Sequence, residues 1–290
     1  MTTPPANTPA KPEALPAPHA CDVAYGSHER QTFDLWLAER AEPTPLLFHF
    51  HGGGFQAGHK QGFFFPEFVP ACLEAGISVA SANYRLTPTA PHPAQVHDCV
   101  RALQHVRHQA DRWNLDPQRV ALGGGSAGSG ISQWIAYHPD LADLASDDPV
   151  SRTSTRVRAV VALNMQCTYH PREVAQIVPG RAYDAVWSRR LAGLPDAWDW
   201  DRQGIPAEAD QRLRDISPLT HLTAEAPPVF IFHNEANRQP DNIHHPNFGE
   251  HLKARLDELG VPCERYLDTD FDSTRAAMAA VVAFLNRHLR

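Results

Sequence analysis

Residues 119–137 read RVALGGGSAGSGISQWIAY, and the fold follows from how that stretch changes character. The apolar run Arg119–Leu122 is too short for a helix and ends in glycine, so it reads as a buried strand, whereas Ser126 to Tyr137 has helical spacing. Between them lies Gly124-Gly125-Ser126-Ala127-Gly128. A strand that turns directly into a helix strains the residue at the turn, and only small neighbours let the backbone pass, which accounts for Gly124, Ala127 and Gly128. The Ser126 hydroxyl then stands at a helix N-terminus, where the dipole favours developing negative charge. The competing interpretation is a phosphate loop, because Gly123–Gly130 holds five glycines. It lacks the Walker lysine, and no G-x-G-x-x-G with a following acidic partner sits at the first strand.

Outward from this turn the chain alternates short apolar runs with longer helical patterns. Cys21–Tyr25 and Gln31–Ala38 read as two strands joined by a polar turn, and further strands are expected at Pro45–Phe50, Ile77–Asn83, Val157–Leu163, Pro228–His233 and Cys263–Leu267. Helices are expected at Val96–Trp113, Phe248–Leu259 and Ser273–Leu289. That alternation predicts the α/β class: a mostly parallel twisted sheet with helices on both faces. Residues 1–20, rich in proline, read as a flexible tail, and 21–290 as one domain with no internal repeat. Residues 169–219 break the rhythm, with Trp187, Trp198 and Trp200 among charges and prolines, and read as a small cap insertion over the C-terminal edge of the sheet.

Composition narrows the partners. Hydrophobic residues make up 42% of the 290, charged residues 20%, and the net charge is -7, as in an ordinary globular protein. Basic residues form no stripe that could track a phosphate backbone, so no nucleic-acid partner is expected. No run of about eighteen apolar residues occurs and the first twenty residues lack an apolar signal core, so no membrane insertion is expected and a cytoplasmic location is the default. A homo-oligomer stays open. The five cysteines, Cys21, Cys72, Cys99, Cys167 and Cys263, are widely spaced without a Cys-x-x-Cys pair, which points to reduced thiols.

A second motif, His51-Gly52-Gly53-Gly54-Phe55, directly follows the strand at Pro45–Phe50. Three successive glycines let the chain lie against a reacting carbonyl and aim backbone N–H groups at it, as an oxyanion hole requires. With these two motifs, Asn83-Tyr84-Arg85-Leu86 and Asn114-Leu115-Asp116-Pro117, the chain from about Tyr25 onward resembles the carboxylesterases of the hormone-sensitive-lipase-like branch of the α/β-hydrolase fold. The resemblance implies Ser126 as nucleophile, Gly53, Gly54 and Ala127 as backbone oxyanion donors, a small-molecule ester of a short acyl group as substrate, and no metal or organic cofactor.

The chain departs from that family in its acid and base. Where the family has His-Gly-x-x-Asp, this sequence reads His233-Asn234-Glu235-Ala236-Asn237, with an amide in the acid's place. Where the family has its histidine, Leu267-Asp268-Thr269-Asp270-Phe271 contains none. A serine without a base stays a weak nucleophile. His244 and His245 occupy the loop after the Pro228–His233 strand, at the same sheet edge as Ser126, with Glu235 and Asp241 close in sequence. One of the two histidines, oriented by Glu235 or Asp241, is therefore the candidate base; the plain alternative is that both merely start a helix. His51 is expected to support its turn. His105 and His108, one turn apart, suggest a metal but lack a third ligand and read as a solvated helix face. Phe63, Phe64 and Phe65 are candidates for an acyl pocket floor, and the cap tryptophans for stacking on an aromatic or sugar group. Two functions remain: an ester hydrolase, or a non-catalytic relative that keeps the pocket as a binding module.

Overall fold

A computed structural model of the chain describes residues 15–290. Eight strands, β1 (Ala20–Ala24), β2 (Thr32–Trp36), β3 (Thr44–Phe50), β4 (Ser78–Ala82), β5 (Leu115–Gly125), β6 (Ala159–Leu163), β7 (Val229–His233) and β8 (Cys263–Leu267), form one sheet in the order β1-β2-β4-β3-β5-β6-β7-β8. The pairs β1/β2 and β2/β4 are antiparallel and every other pair is parallel. The β3, β5, β6 and β7 strands bury every residue near their C-terminal ends, as a sheet covered on both faces requires. Among the described residues, nine helices follow in chain order: α1 (Phe68–Glu74), α2 (Ala94–His108), α3 (Ala127–Tyr137), α4 (Pro171–Ile177), α5 (Val186–Leu191), α6 (Trp200–Gln203), α7 (Ala207–Ile216), α8 (Asn247–Glu258) and α9 (Thr274–His288). Alternating residues along the strands divide the core: Leu47 and Ala121 pack with α1 and α9 on one face, and Leu46, Phe48 and Leu122 with α2 and α3 on the other. No helix among the described residues is long and apolar enough to cross a membrane.

Sequence and structure differ in three places. Of the proline-rich segment 1–20, residues 1–14 lie outside the described residues, but 15–19 are docked: Trp36 Nε1 donates to the Pro16 carbonyl at 2.7 Å and the Leu37 N–H to His19 Nδ1 at 3.0 Å. Proline there denies helix without denying packing. The short α1 gave no separate signal beside the Phe63–Phe65 cluster. The insertion between β6 and β7 contains α4 to α7, and its apolar residues Leu191, Trp200, Leu213 and Ile216 join the core that also holds α2 and α3.

The sheet order sets the site. β3 and β5 lie side by side with Phe50 opposite Gly124, so the His51–Gly54 loop and the Ser126 turn leave adjacent strands at one edge. Ser126 sits at φ 52° and ψ -120°, the strained turn expected of a strand running straight into a helix. A Cβ at Gly124 would stand 2.4 Å from the Phe50 carbonyl oxygen, and one at Gly128 only 1.9 Å from it. Both glycines therefore exist to let the turn close against β3. Gly128→Ala is expected to cost about 3 kcal/mol or more of folding stability, since backbone atoms cannot yield to the added methyl. The midpoint of urea unfolding measures this, and a midpoint equal to wild type would contradict the close approach.

Candidate active site

The loops after β3, β5, β6 and β7 converge on Ser126. His244 Nε2 lies 2.8 Å from Ser126 Oγ, so with Nε2 unprotonated the hydroxyl donates to it. The histidine's loop is pinned at three points. The His244 N–H donates to Asn242 Oδ1 at 2.8 Å, Asn242 Nδ2 to Asn237 Oδ1 at 3.3 Å, and Gln166 Nε2 to the Ile243 carbonyl at 2.6 Å. Asn237, the amide in the acid's expected place, thus holds the loop that presents the imidazole. Partial burial lowers the pKa of His244 below its ordinary value of 6.5. The ring is accordingly neutral near pH 7 and able to take a proton.

The other three residues singled out for base and acid face elsewhere. His245 is buried, with Nδ1 accepting the Asn247 N–H at 3.1 Å. Glu235 accepts from Arg238 Nε at 2.7 Å, and that guanidinium holds its carboxyl below the usual range. Asp241, at φ 67°, accepts the Arg181 backbone N–H beside Gly180. The expectation that Glu235 or Asp241 orients the imidazole is therefore corrected. Each carboxylate has a local partner that satisfies it, and no carboxylate among the described residues is hydrogen-bonded to His244.

The cleft beside Ser126 has a volume of about 370 Å³, and its wall includes Gly52, Gly53, Phe63, Phe64, Asn164 and His244. Gly52 runs against the serine turn, where an added Cβ would meet the Gly125 carbonyl oxygen at 2.9 Å. Gly53 and Gly54 take φ of 105° and 57°, conformations that L side chains rarely adopt. A proline at Gly54 could not reach that angle, so such a variant would test folding rather than one N–H donor. Ala127 opens α3 immediately after the serine and is buried. His51 braces the loop: Nδ1–H donates to the Gly52 carbonyl at 2.7 Å, Nε2 faces Arg30 Nη2 at 3.3 Å, and the ring stacks on Tyr84 at 4.2 Å. Burial pushes its pKa down to about 4, so it is a neutral support with both nitrogens engaged.

Of the three phenylalanines, Phe63 and Phe64 line the cleft, while Phe65 is buried against Phe232 at 5.4 Å. Of the insertion's tryptophans, Trp200 is buried and Trp187 and Trp198 are half-buried against the core. Trp187 meets Tyr169 edge-on at 5.5 Å and stands where a Cβ at Gly54 would be, 3.2 Å away. His105 is hydrogen-bonded to Gln109 and, among the described residues, belongs to no group of metal ligands. Sequence reasoning passed over Asn164. It sits at φ 43° after β6, donates its backbone N–H to the Phe232 carbonyl at 2.7 Å and accepts the Asn234 N–H on its side chain at 3.0 Å. It thereby ties the β6 end to the β7 loop; an asparagine directly after an apolar strand was its only signal.

The BD-FAE family model matches residues 33–252. The probable carboxylic ester hydrolase LipM of Mycobacterium tuberculosis is 29% identical over 226 residues, 74% of this chain and 47% of that protein. Esterase LipQ of the same organism is 25% identical over 233 residues, 76% of this chain and 51% of its own. The chain thus spans about half the length of these relatives. Among solved structures, a truncated carbohydrate esterase from gut microbiota superposes with a TM-score of 0.74 at 20% identity, covering 93% of this chain and 95% of that one. The acetyl ester-xyloside bifunctional hydrolase of Caldicellulosiruptor lactoaceticus gives 0.69 at 20% identity over 88% of both chains. These likenesses and the strand order establish an α/β-hydrolase fold. Because the family model matches well over half of the sequence, the chain belongs to the BD-FAE family.

Proposed function

We propose that the chain hydrolyses small-molecule carboxylic esters through an acyl-enzyme on Ser126, with His244 as general base and the backbone N–H groups of Gly53, Gly54 and Ala127 as oxyanion donors. The observation that carries this reading is the 2.8 Å contact between Ser126 Oγ and His244 Nε2 at the wall of an open cleft. As Oγ attacks the ester carbonyl carbon, its proton passes to Nε2 and the carbonyl oxygen gathers negative charge. Collapse expels the alcohol, which takes the proton from the imidazolium. Water then enters by the same route in reverse, and His244 returns the proton to Oγ as the acid leaves. Phe63 and Phe64 offer an apolar wall to a short acyl group. The ester-hydrolase names of the relatives support the reading. A binding module would have no use for a strained serine aimed at an imidazole.

Turnover of p-nitrophenyl acetate against pH tests it. The base must be neutral, so activity rises as pH passes upward through the His244 pKa. Because burial lowers that pKa, the acidic limb of kcat/KM is expected to have its midpoint below pH 6.5. No turnover at any pH would refute the function, and a limb centred above 6.5 would assign the proton to another group.

A further inference from the structure

Away from the cleft, the far end of the serine's own helix meets the end of the insertion. His138 caps the C-terminus of α3, Asp215 lies in the last turn of α7, and His221 ends the short turn that follows it. One ring nitrogen of each histidine and a carboxylate oxygen of Asp215 lie within 4.8 Å of one another, and all three residues are partly exposed.

The protonation of each group is fixed by its partner. His138 Nδ1 is 2.7 Å from the Trp134 carbonyl oxygen, which can only accept, so Nδ1 holds the hydrogen and Nε2 a lone pair. His221 Nε2 likewise donates to the Asp215 carbonyl at 2.6 Å, leaving the lone pair on Nδ1. The two imidazoles lie with centroids 3.6 Å apart. Asp215 Oδ2 accepts from the buried His92 Nε2 at 2.5 Å, whose Nδ1 has no partner among the described residues, and Oδ1 stands 4.0 Å from His221 Nε2, beyond hydrogen-bond reach and open to a cation. Each ligating group thus has a second partner behind it, the arrangement that orients metal ligands.

We propose that His138, His221 and Asp215 bind a divalent transition-metal ion of the zinc class, which clips the insertion to the helix headed by Ser126. Two imidazoles and one carboxylate suit zinc, with water completing the tetrahedron. Metal–ligand bonds of about 2.1 Å place tetrahedral ligands roughly 3.4 Å apart, so on binding the stacked imidazoles, with centroids 3.6 Å apart, splay while the three ligand atoms draw in from a spacing of up to 4.8 Å. The ion would join two segments that leave the core separately, and its binding energy would stabilise their contact.

The test uses the untagged chain, stripped with EDTA, in a Cys21→Ser background, because Cys21, Asp22 and Asp34 form the other group of such ligands among the described residues. Calorimetric titration with Zn2+ is expected to give one ion per chain, and a hundredfold excess over Kd to raise Tm by roughly 5 °C. Mg2+ is expected to do neither. His138→Ala and His221→Ala should each weaken Zn2+ binding at least tenfold and abolish the visible absorption of bound Co2+. If an alanine variant loses its circular dichroism, His138→Gln, which can still donate to the Trp134 carbonyl, replaces it. Absence of saturable Zn2+ binding at micromolar concentration, or binding unchanged in both histidine variants, would overturn the site whatever the fate of the esterase reading.

Discussion

Ser126→Ala is expected to abolish turnover of p-nitrophenyl acetate, a loss of about 10⁴-fold or more, and with it labelling by a fluorophosphonate probe. Among the described residues, Ser126 Oγ is the hydroxyl that donates to the His244 imidazole and sits at the turn beside Gly52 and Gly53. Its removal leaves the cleft, the glycine loop and His244 in place, so substrate is expected still to bind and any surviving turnover to come from the proposed oxyanion donors. Alanine also relaxes nothing essential in the fold, because the positive φ at this position is imposed by β5 and α3 rather than by the side chain. Far-UV circular dichroism should therefore match wild type. Turnover within tenfold of wild type in the folded variant would mean that another nucleophile acts and would sink the acyl-enzyme reading.

The central strands were legible because each is an apolar run bounded by glycine, proline or charge, as Thr44–Phe50 and Val229–His233 show. Their order was not, since nothing local in Ser78–Ala82 says that it inserts between β2 and β3. The serine turn and the glycine loop were legible for the same reason that they are needed: side chains there would strike the Phe50 or Gly125 carbonyl. The proposed base was legible only as a pair. His244 and His245 are adjacent in a loop with no periodicity to assign faces, and the choice falls to Asn242, whose side chain fixes the His244 backbone while His245 turns inward beside Asn247. Proximity in sequence misled for the acid. Glu235 has Arg238 three residues away, and that short-range ion pair takes the carboxylate before any loop partner can.

His244→Ala should lower kcat by roughly a thousandfold while KM changes less than threefold, because the proton transfer proposed for it develops mainly in the transition state. His245→Ala provides the contrast. It removes a buried ring that accepts the Asn247 N–H at the start of α8, so the expected loss is in stability, with kcat within a few-fold of wild type. The imidazolium formed on His244 has no carboxylate behind it among the described residues, which sets this site apart from a complete triad. Two consequences follow from that difference. Exogenous imidazole should restore part of the activity of His244→Ala, because only the ring itself is missing and no anchoring carboxylate constrains the angle of its replacement. Substituting Glu235 or Asp241 by the corresponding amide should leave kcat within threefold of wild type, since their partners are Arg238 and the Arg181 backbone. A loss of a hundredfold in either amide variant, measured on folded protein, would show that the carboxylate swings to His244 during turnover and would restore a three-residue mechanism; retention of wild-type kcat by His244→Ala would instead move the base elsewhere.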